Sequence, residues 1–362
     1  MDYRRKHHVL SRREFLQNLG LAAAGLALAG CQPGSRSQGN QAPIVAIGKA
    51  KTYDPKLVRN QLEKMLDGIG GIADVLAHGN RVAIKTNLTG GLSSKPLPGT
   101  TEIETYLTHP EVVRAMVELL RDAGAKEIFI VEAVYEKESW PVYGYAEMAK
   151  QVGATLVDLN YPEPYPDFTE TSPGSNPFIY EKFLFNPILN EVDAFVSISK
   201  MKCHNSLGVT HTMKNLVGLV PFRSYRLNTT DNYRSAFHGK PAEMRKRLPR
   251  VVMDLNRARP VNLGIIDGIM TVEGGEGPWI TAMTPIQPGL LFAGKDPVAT
   301  DAVATAAMGF DPTAEYPNEP FVNGENHLNL AASLGLGTNH LDQIQVVGAK
   351  IEEVMMKFAV SY

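Results

Sequence analysis

Seven short runs rich in β-branched and large apolar residues recur along the chain, at residues 44–47, 81–85, 127–131, 155–158, 194–199, 262–266 and 289–293, with helical patterns between them. Strands joined through helices pair in parallel, because a parallel connection needs a dozen or more residues. The alternation therefore predicts an α/β fold with a mostly parallel open sheet covered by helices. The segment 110–123 shows the helical pattern: Val113, Met116, Val117 and Leu120 fall on one face, and Gly124 closes it. Residues 299–308, small and apolar, read as a helix packed closely on the sheet. No Gly-x-Gly-x-x-Gly follows the first strand, so the usual dinucleotide-binding turn is absent there.

Ahead of this body, Arg12 and Arg13 precede Phe15, Leu16 and a short apolar run, which resembles the twin-arginine signal of proteins exported already folded. Leu28-Ala29-Gly30-Cys31 resembles a lipobox, with Cys31 as the acylated residue. The apolar run is far shorter than the ~20 residues that span a bilayer. Residues 1–30 thus read as a twin-arginine lipoprotein signal peptide and 31–42, made of Gln, Pro, Gly, Ser and Asn, as a flexible tether. Residues 43–350 read as one globular α/β domain with long loops near 88–108, 160–180 and 221–240, and 351–362 as a C-terminal tail. The expected partners are the twin-arginine translocase and, through Cys31, a membrane. The expected location is the cell envelope, in the periplasm or on the outer face of the membrane. Without residues 1–30 the chain carries 31 basic and 36 acidic side chains, a balance that gives no general pull toward nucleic acid. With Cys31 acylated, Cys203 has no disulfide partner, and the core alone must hold the fold.

In open α/β sheets ligands sit beyond the carboxyl ends of the strands. Lys85-Thr86-Asn87, Glu132, Lys200 to His204, Asp267 and Lys295-Asp296 all lie at such predicted ends. Asp267 and Asp296 also suit the plainer work of turn and helix caps. The densest polar block runs from Lys202 to Leu216. It leaves a strand and enters a predicted helix on which Thr210 and Lys214, and His211 and Asn215, form two adjacent columns. A His at the loop and a Lys one or two turns on suit acid/base work, the tethering of a carbonyl-type cofactor, or anion binding. The catalytic candidates are therefore His204, Lys214, Lys202, His109 and Asp267. Lys85, Asn87, Asn215 and Thr210 are candidates for holding a cofactor, and a metal ion is expected, if present, on His204, His238 and Glu132. The run Arg223, Arg226, Arg234, His238, Lys240, Arg245, Lys246, Arg247 and Arg250 suits a carboxylate or phosphate ligand, or else a solvated or lipid-facing surface. Trp140, Tyr143 and Tyr145 read as packing, and His327 and His340 as hydrogen-bonded structural residues.

Together, Lys85-Thr86-Asn87, His109-Pro110-Glu111-Val112-Val113, the Lys202 to Leu216 block, Ile266-Asp267-Gly268, Glu273-Gly274 through Gly277-Pro278 and Lys295 to Ala302 resemble the family called domain of unknown function 362. The resemblance covers nearly the whole body but implies no established activity. Many members carry a ferredoxin-like module; with Cys31 and Cys203 alone this chain lacks the cysteines of an intrinsic iron–sulfur cluster, so a redox partner would have to supply one. The order His109, His204, Lys214, His238 also resembles the nickel-pincer lactate racemases, which implies acid/base histidines, a lysine that tethers a cofactor and a histidine on nickel. Three functions are consistent with these residues: a metal- or cofactor-dependent enzyme acting on a small anionic substrate, a non-catalytic binder of a small anion or partner, and a racemase-like enzyme.

Overall fold

The computed structural model describes residues 42–92, 94 and 97–362. Arg12, Arg13, Cys31 and the tether up to residue 41 lie outside the described residues. The architecture is α/β, as the alternation predicts. One sheet holds β1 (Ile44–Lys49), β2 (Arg81–Lys85), β3 (Glu127–Glu132), β4 (Thr155–Asp158), β5 (Ala194–Lys200), β6 (Leu263–Gly268), β7 (Leu290–Gly294) and β8 (Gln345–Gly348), in the spatial order β8-β1-β7-β6-β5-β2-β3-β4. All neighbours pair in parallel except at β7, which runs antiparallel to both β1 and β6. Each of the seven expected strands is present, within two residues at either end. The edge strand β8 adds an eighth.

Alternation along the strands divides the apolar side chains between two cores, one on each face. Val82, Ile84, Ile265 and Leu291 join α1 (Pro55–Gly68), α2 (Pro110–Asp122) and α3 (Tyr145–Val152) on one face. Ala83, Ile266 and Phe292 join α4 (Met244–Ala258), α5 (Pro297–Ala307) and α6 (His327–Ser333) on the other. Pro at the first turn and a capping side chain fix the starts of α1 and α5, at Asp54 and Asp296. Asp296 is therefore a helix cap, its plainer reading. Helix α5 is buried from Val298 onward, and its run of small residues lets it lie close to the sheet. Trp140 and Tyr145 are buried in the first core, which matches their reading as packing. Residues 351–362, expected as a tail, lie against the body: Phe358 is buried and donates its N–H to Met308 O, and Gly274 N donates to Ala359 O.

From β2 the chain order runs outward through β3 and β4, and from β5 it runs the other way through β6. The reversal point lies between β2 and β5. The carboxyl ends of strands diverge at such a point and leave a crevice open to a ligand.

Candidate functional site

A cavity of about 750 Å³ opens beyond the ends of β2 and β3, where Lys85 and Glu132 end their strands on its wall. Lys85 and Glu132 form a buried ion pair at 2.8 Å, exposed by 1% and 4% at the side chain. Lys85 Nζ also donates to Thr86 O at 2.6 Å and Asn215 Oδ1 at 3.3 Å, which uses all three of its donors. Glu132 accepts the Leu88 N–H on the same oxygen. Asn215 is the hub of this layer: it accepts from Lys85 and from Asn87 Nδ2 and donates to Ser197 Oγ. Gly218 fits close beneath the pair. A Cβ there would lie 2.6 Å from Lys85 Nζ and collide with Glu132 Oε1, so only glycine allows this approach.

The predicted helix through Thr210 and Lys214 is not formed. Residues Lys202–His204 and Gly208–Thr210 make a small antiparallel hairpin, and the chain then enters a 3₁₀ turn at Lys214–Leu219. Gly208, at φ +83, and the β-branched pair Val209 and Thr210 favour the hairpin over a helix. The two polar columns are accordingly absent. Thr210 and His211 are buried away from the cavity, whereas Lys214 and Asn215 line it. The backbone ahead of Lys214 is held from three sides. Asp301 of α5 accepts from Thr212 N, Thr212 Oγ1 and Met213 N, Ser197 Oγ donates to Thr212 O, and Asn256 of α4 donates to Met213 O.

Lys214 projects from this support into the cavity and has no hydrogen-bond or ion-pair partner among the described residues. Burial, together with the charges of Lys85 and Arg234, lowers its pKa to about 8, against the pull of Glu276. His204 and His238 line the same cavity. Burial and then the charge of Lys214 hold both imidazoles neutral, with His238 lowered to about 4 and His204 well below its ordinary value. Ser206 N donates to His204 Nδ1 at 3.1 Å, which assigns the proton of the neutral ring to Nε2. His204 can therefore donate a hydrogen bond from Nε2 but carries no charge.

The acids of the wall are already occupied. Glu132 is held by Lys85 and Leu88 N–H, Glu136 by Leu92 N–H, and Glu276 by Asn205 N–H and the Trp279 indole N–H. Two cations remain without a carboxylate among the described residues: Lys214, and Arg234, which is buried, donates to the carbonyls of Val220 and Ala133 and bonds Tyr135. The lining carries Lys85, Lys214 and Arg234 against Glu132, Glu136 and Glu276, so its formal charge balances while Lys214 and Arg234 stand apart from any ion pair. Of the basic run, Arg234 and His238 reach it, while Arg247 and Arg250 are taken up by Glu243 and Glu325.

The other candidates lie elsewhere. Asp267, Lys200, Tyr53 and His109 form a second buried cluster at the ends of β5 and β6. Lys200 pairs with Asp267 at 3.0 Å, Tyr53 Oη donates to Asp267 Oδ1, and His109 stacks on Tyr53 at 3.6 Å. His109 N donates to Asp267, and its ring accepts the Glu111 N–H as the cap of α2, so both residues are spent on structure. Lys202 is buried and donates to Tyr106 O and Glu276 O, away from the cavity lining. Among the described residues no three His, Cys, Asp or Glu side chains stand close enough to share a metal, so His204, His238 and Glu132 do not converge as a ligand set. Cys203 is buried in apolar surroundings that push its thiol pKa up. His327 is wholly buried beside the Leu207 backbone, to which its ring bonds.

Glu276, Trp279, Tyr135 and Gly218 were not singled out from the sequence. The segment Glu273 to Pro278, with its repeated glycines, is the one signal that pointed near two of them.

Against known proteins, the chain is 26% identical over 316 residues to the thylakoid-associated protein sll1697 of Synechocystis, covering 86% of this chain and 88% of that protein. A structure of the lactate racemase apoprotein from Thermoanaerobacterium thermosaccharolyticum aligns with a TM-score of 0.38 at 11% identity, over 68% of this chain and 54% of that one. The model of one family, domain of unknown function (DUF362), matches residues 82–306, a span that holds both wall-forming strand ends and the Lys214 segment, and the chain belongs to that family.

Proposed function

We propose that the cavity is the active site of an enzyme in which the Lys214 amine engages a small anion bearing a carbonyl group. The observation that carries this reading is a lysine aimed into a cavity with no partner among the described residues and a pKa of about 8. At pH 7 about a tenth of such amines are neutral and nucleophilic, against about one in three thousand for an ordinary lysine. The neutral amine adds to the carbonyl carbon, the carbinolamine loses water, and an imine remains. His204, on the same cavity, is the group we assign to donate a hydrogen bond from Nε2 to the departing oxygen. Arg234 supplies the fixed positive charge that an anionic substituent requires. Such an amine equally serves to tether a carbonyl-type cofactor.

The sequence adds a second element to the proposal: export through the twin-arginine pathway and a lipid anchor on Cys31 at the cell envelope. A relative described as thylakoid-associated accords with a membrane-held protein. Intact mass of protein purified from membranes checks this part, and an unlipidated protein that retains residues 1–30 overturns it.

The test of the site is reductive trapping with glyoxylate and cyanoborohydride, followed by peptide mapping. Lys214 is expected to label well ahead of every other lysine, with a rate that rises toward pH 8. Labelling of Lys214 no faster than that of exposed lysines overturns the amine chemistry. Protection of Lys214 from modification by simple carboxylates, without imine formation, instead establishes a non-catalytic anion site.

A further inference from the structure

The cavity is far larger than a three-carbon acid requires, and its volume falls in the range that holds drug-sized ligands. Its rim carries an aromatic side chain that the amine chemistry does not use. Trp279 is 48% exposed although its indole is fixed in place. The indole N–H donates to Glu276 Oε1 at 3.0 Å, and Glu276 is itself anchored by Asn205 N–H. The ring meets Tyr106 edge-on at 6.4 Å. Its benzo end rests on two glycines: a Cβ at Gly90 would lie 2.7 Å from the ring, and one at Gly277 would overlap it. An exposed tryptophan held by a hydrogen bond and seated in a notch of glycines is a preorganised flat surface. Tyr233, 45% exposed and set edge-on to His238, lines the same cavity.

Resting on the reading of Lys214 given above, we propose that the substrate is a planar aromatic or heteroaromatic compound with a carbonyl and an anionic group, stacked on Trp279 with its carbonyl directed to Lys214. The ring supplies the contact that a small acid lacks, and Trp279 discriminates between ligands that share the same reactive groups.

Three probes separate the contributions: 4-carboxybenzaldehyde has ring, aldehyde and carboxylate, glyoxylate lacks the ring, and terephthalate lacks the aldehyde. Trapping at Lys214 is measured for both aldehydes, each normalised to its reaction with free Nα-acetyl-lysine. The normalised preference for the aromatic aldehyde is expected to be about tenfold, the size of one good stacking contact. It should collapse in Trp279→Ala and survive in Trp279→Phe. Trp140 is buried outside the cavity, so emission changes on adding ligand report on Trp279. Terephthalate is expected to quench that emission in the native protein. An unchanged preference in Trp279→Ala, or no quenching by terephthalate, overturns the proposal. Quenching with no trapping of either aldehyde keeps the stacking surface and removes the amine chemistry instead.

Discussion

Replacing Lys214 by Met should make the protein more stable at neutral pH. Lys214 bears its charge where burial and the neighbouring cations oppose it, and Glu276 and Glu132 offset this only in part. The fall from 10.5 to about 8 corresponds, at about 1.4 kcal/mol per pH unit, to a cost of about 3 kcal/mol for the charged form. Part of the amine stays open to the cavity, and water there lowers the expected gain to about 1–2 kcal/mol. The sign follows from linkage. Below pH 8 the lysine is protonated in both states, and the full cost is present. Between pH 8 and 10.5 the folded protein has shed the proton that the unfolded chain keeps, so the native protein gains on the variant as pH rises. Above 10.5 both states are neutral, and the difference vanishes. Urea unfolding at about pH 7 and about pH 10.5, with m-values compared to confirm unchanged denatured states, reads this directly. A variant that is less stable at pH 7, or a gain that persists undiminished at high pH, refutes the assignment of Lys214 as a cation only partly compensated.

Lys85→Met should cost about 3–5 kcal/mol, because it leaves Glu132 buried without its cation. The double variant Lys85→Met/Glu132→Gln should recover more than half of that in the same unfolding assay; no recovery would mean that packing, not charge, sets the loss. Gly218→Ala should lose about 1–3 kcal/mol by overpacking against the pair. Its penalty should fall in a Lys85→Met/Glu132→Ala background, which removes the clashing carboxylate, and strict additivity across that cycle would show that the methyl collides elsewhere.

The sheet was legible because its strands are short, buried on both faces and rich in β-branched residues. The run 155–158 and the run 81–85 match their strands residue for residue. Strand β8 was not, since its four residues lie at an edge, half exposed, and end in glycine. The helix expected around Thr210 arose from a four-residue spacing of polar side chains that a hairpin and a 3₁₀ turn happen to share. The rule that ligands gather at strand ends points to Lys85, Glu132 and His204, which share one cavity with Lys214 of the polar block and His238 of the basic run. It carries no information on how far apart along the rim two strand ends lie. Tyr53, ahead of α1, draws Lys200 and Asp267 into a closed cluster of their own. In the sequence Arg234 is one of eight cations in a basic run, and its burial depends on carbonyls of Val220 and Ala133, the latter distant in sequence. Trp279 sits in a loop whose contacts with Gly90 and Tyr106 join parts of the chain far apart, and no local pattern announces them.

Strands β1 and β8 pair with each other, and β1 covers the outer edge of β7. Both strands lie outside residues 82–306. The stretch that marks the family is therefore not a self-sufficient folding unit. Cut to that stretch, β7 would bare five wholly buried residues and a row of unpaired N–H and C=O groups, an adhesive edge open to other chains. The outer pair acts as a seal: two segments that line no part of the cavity decide whether it exists in solution or is lost to aggregation.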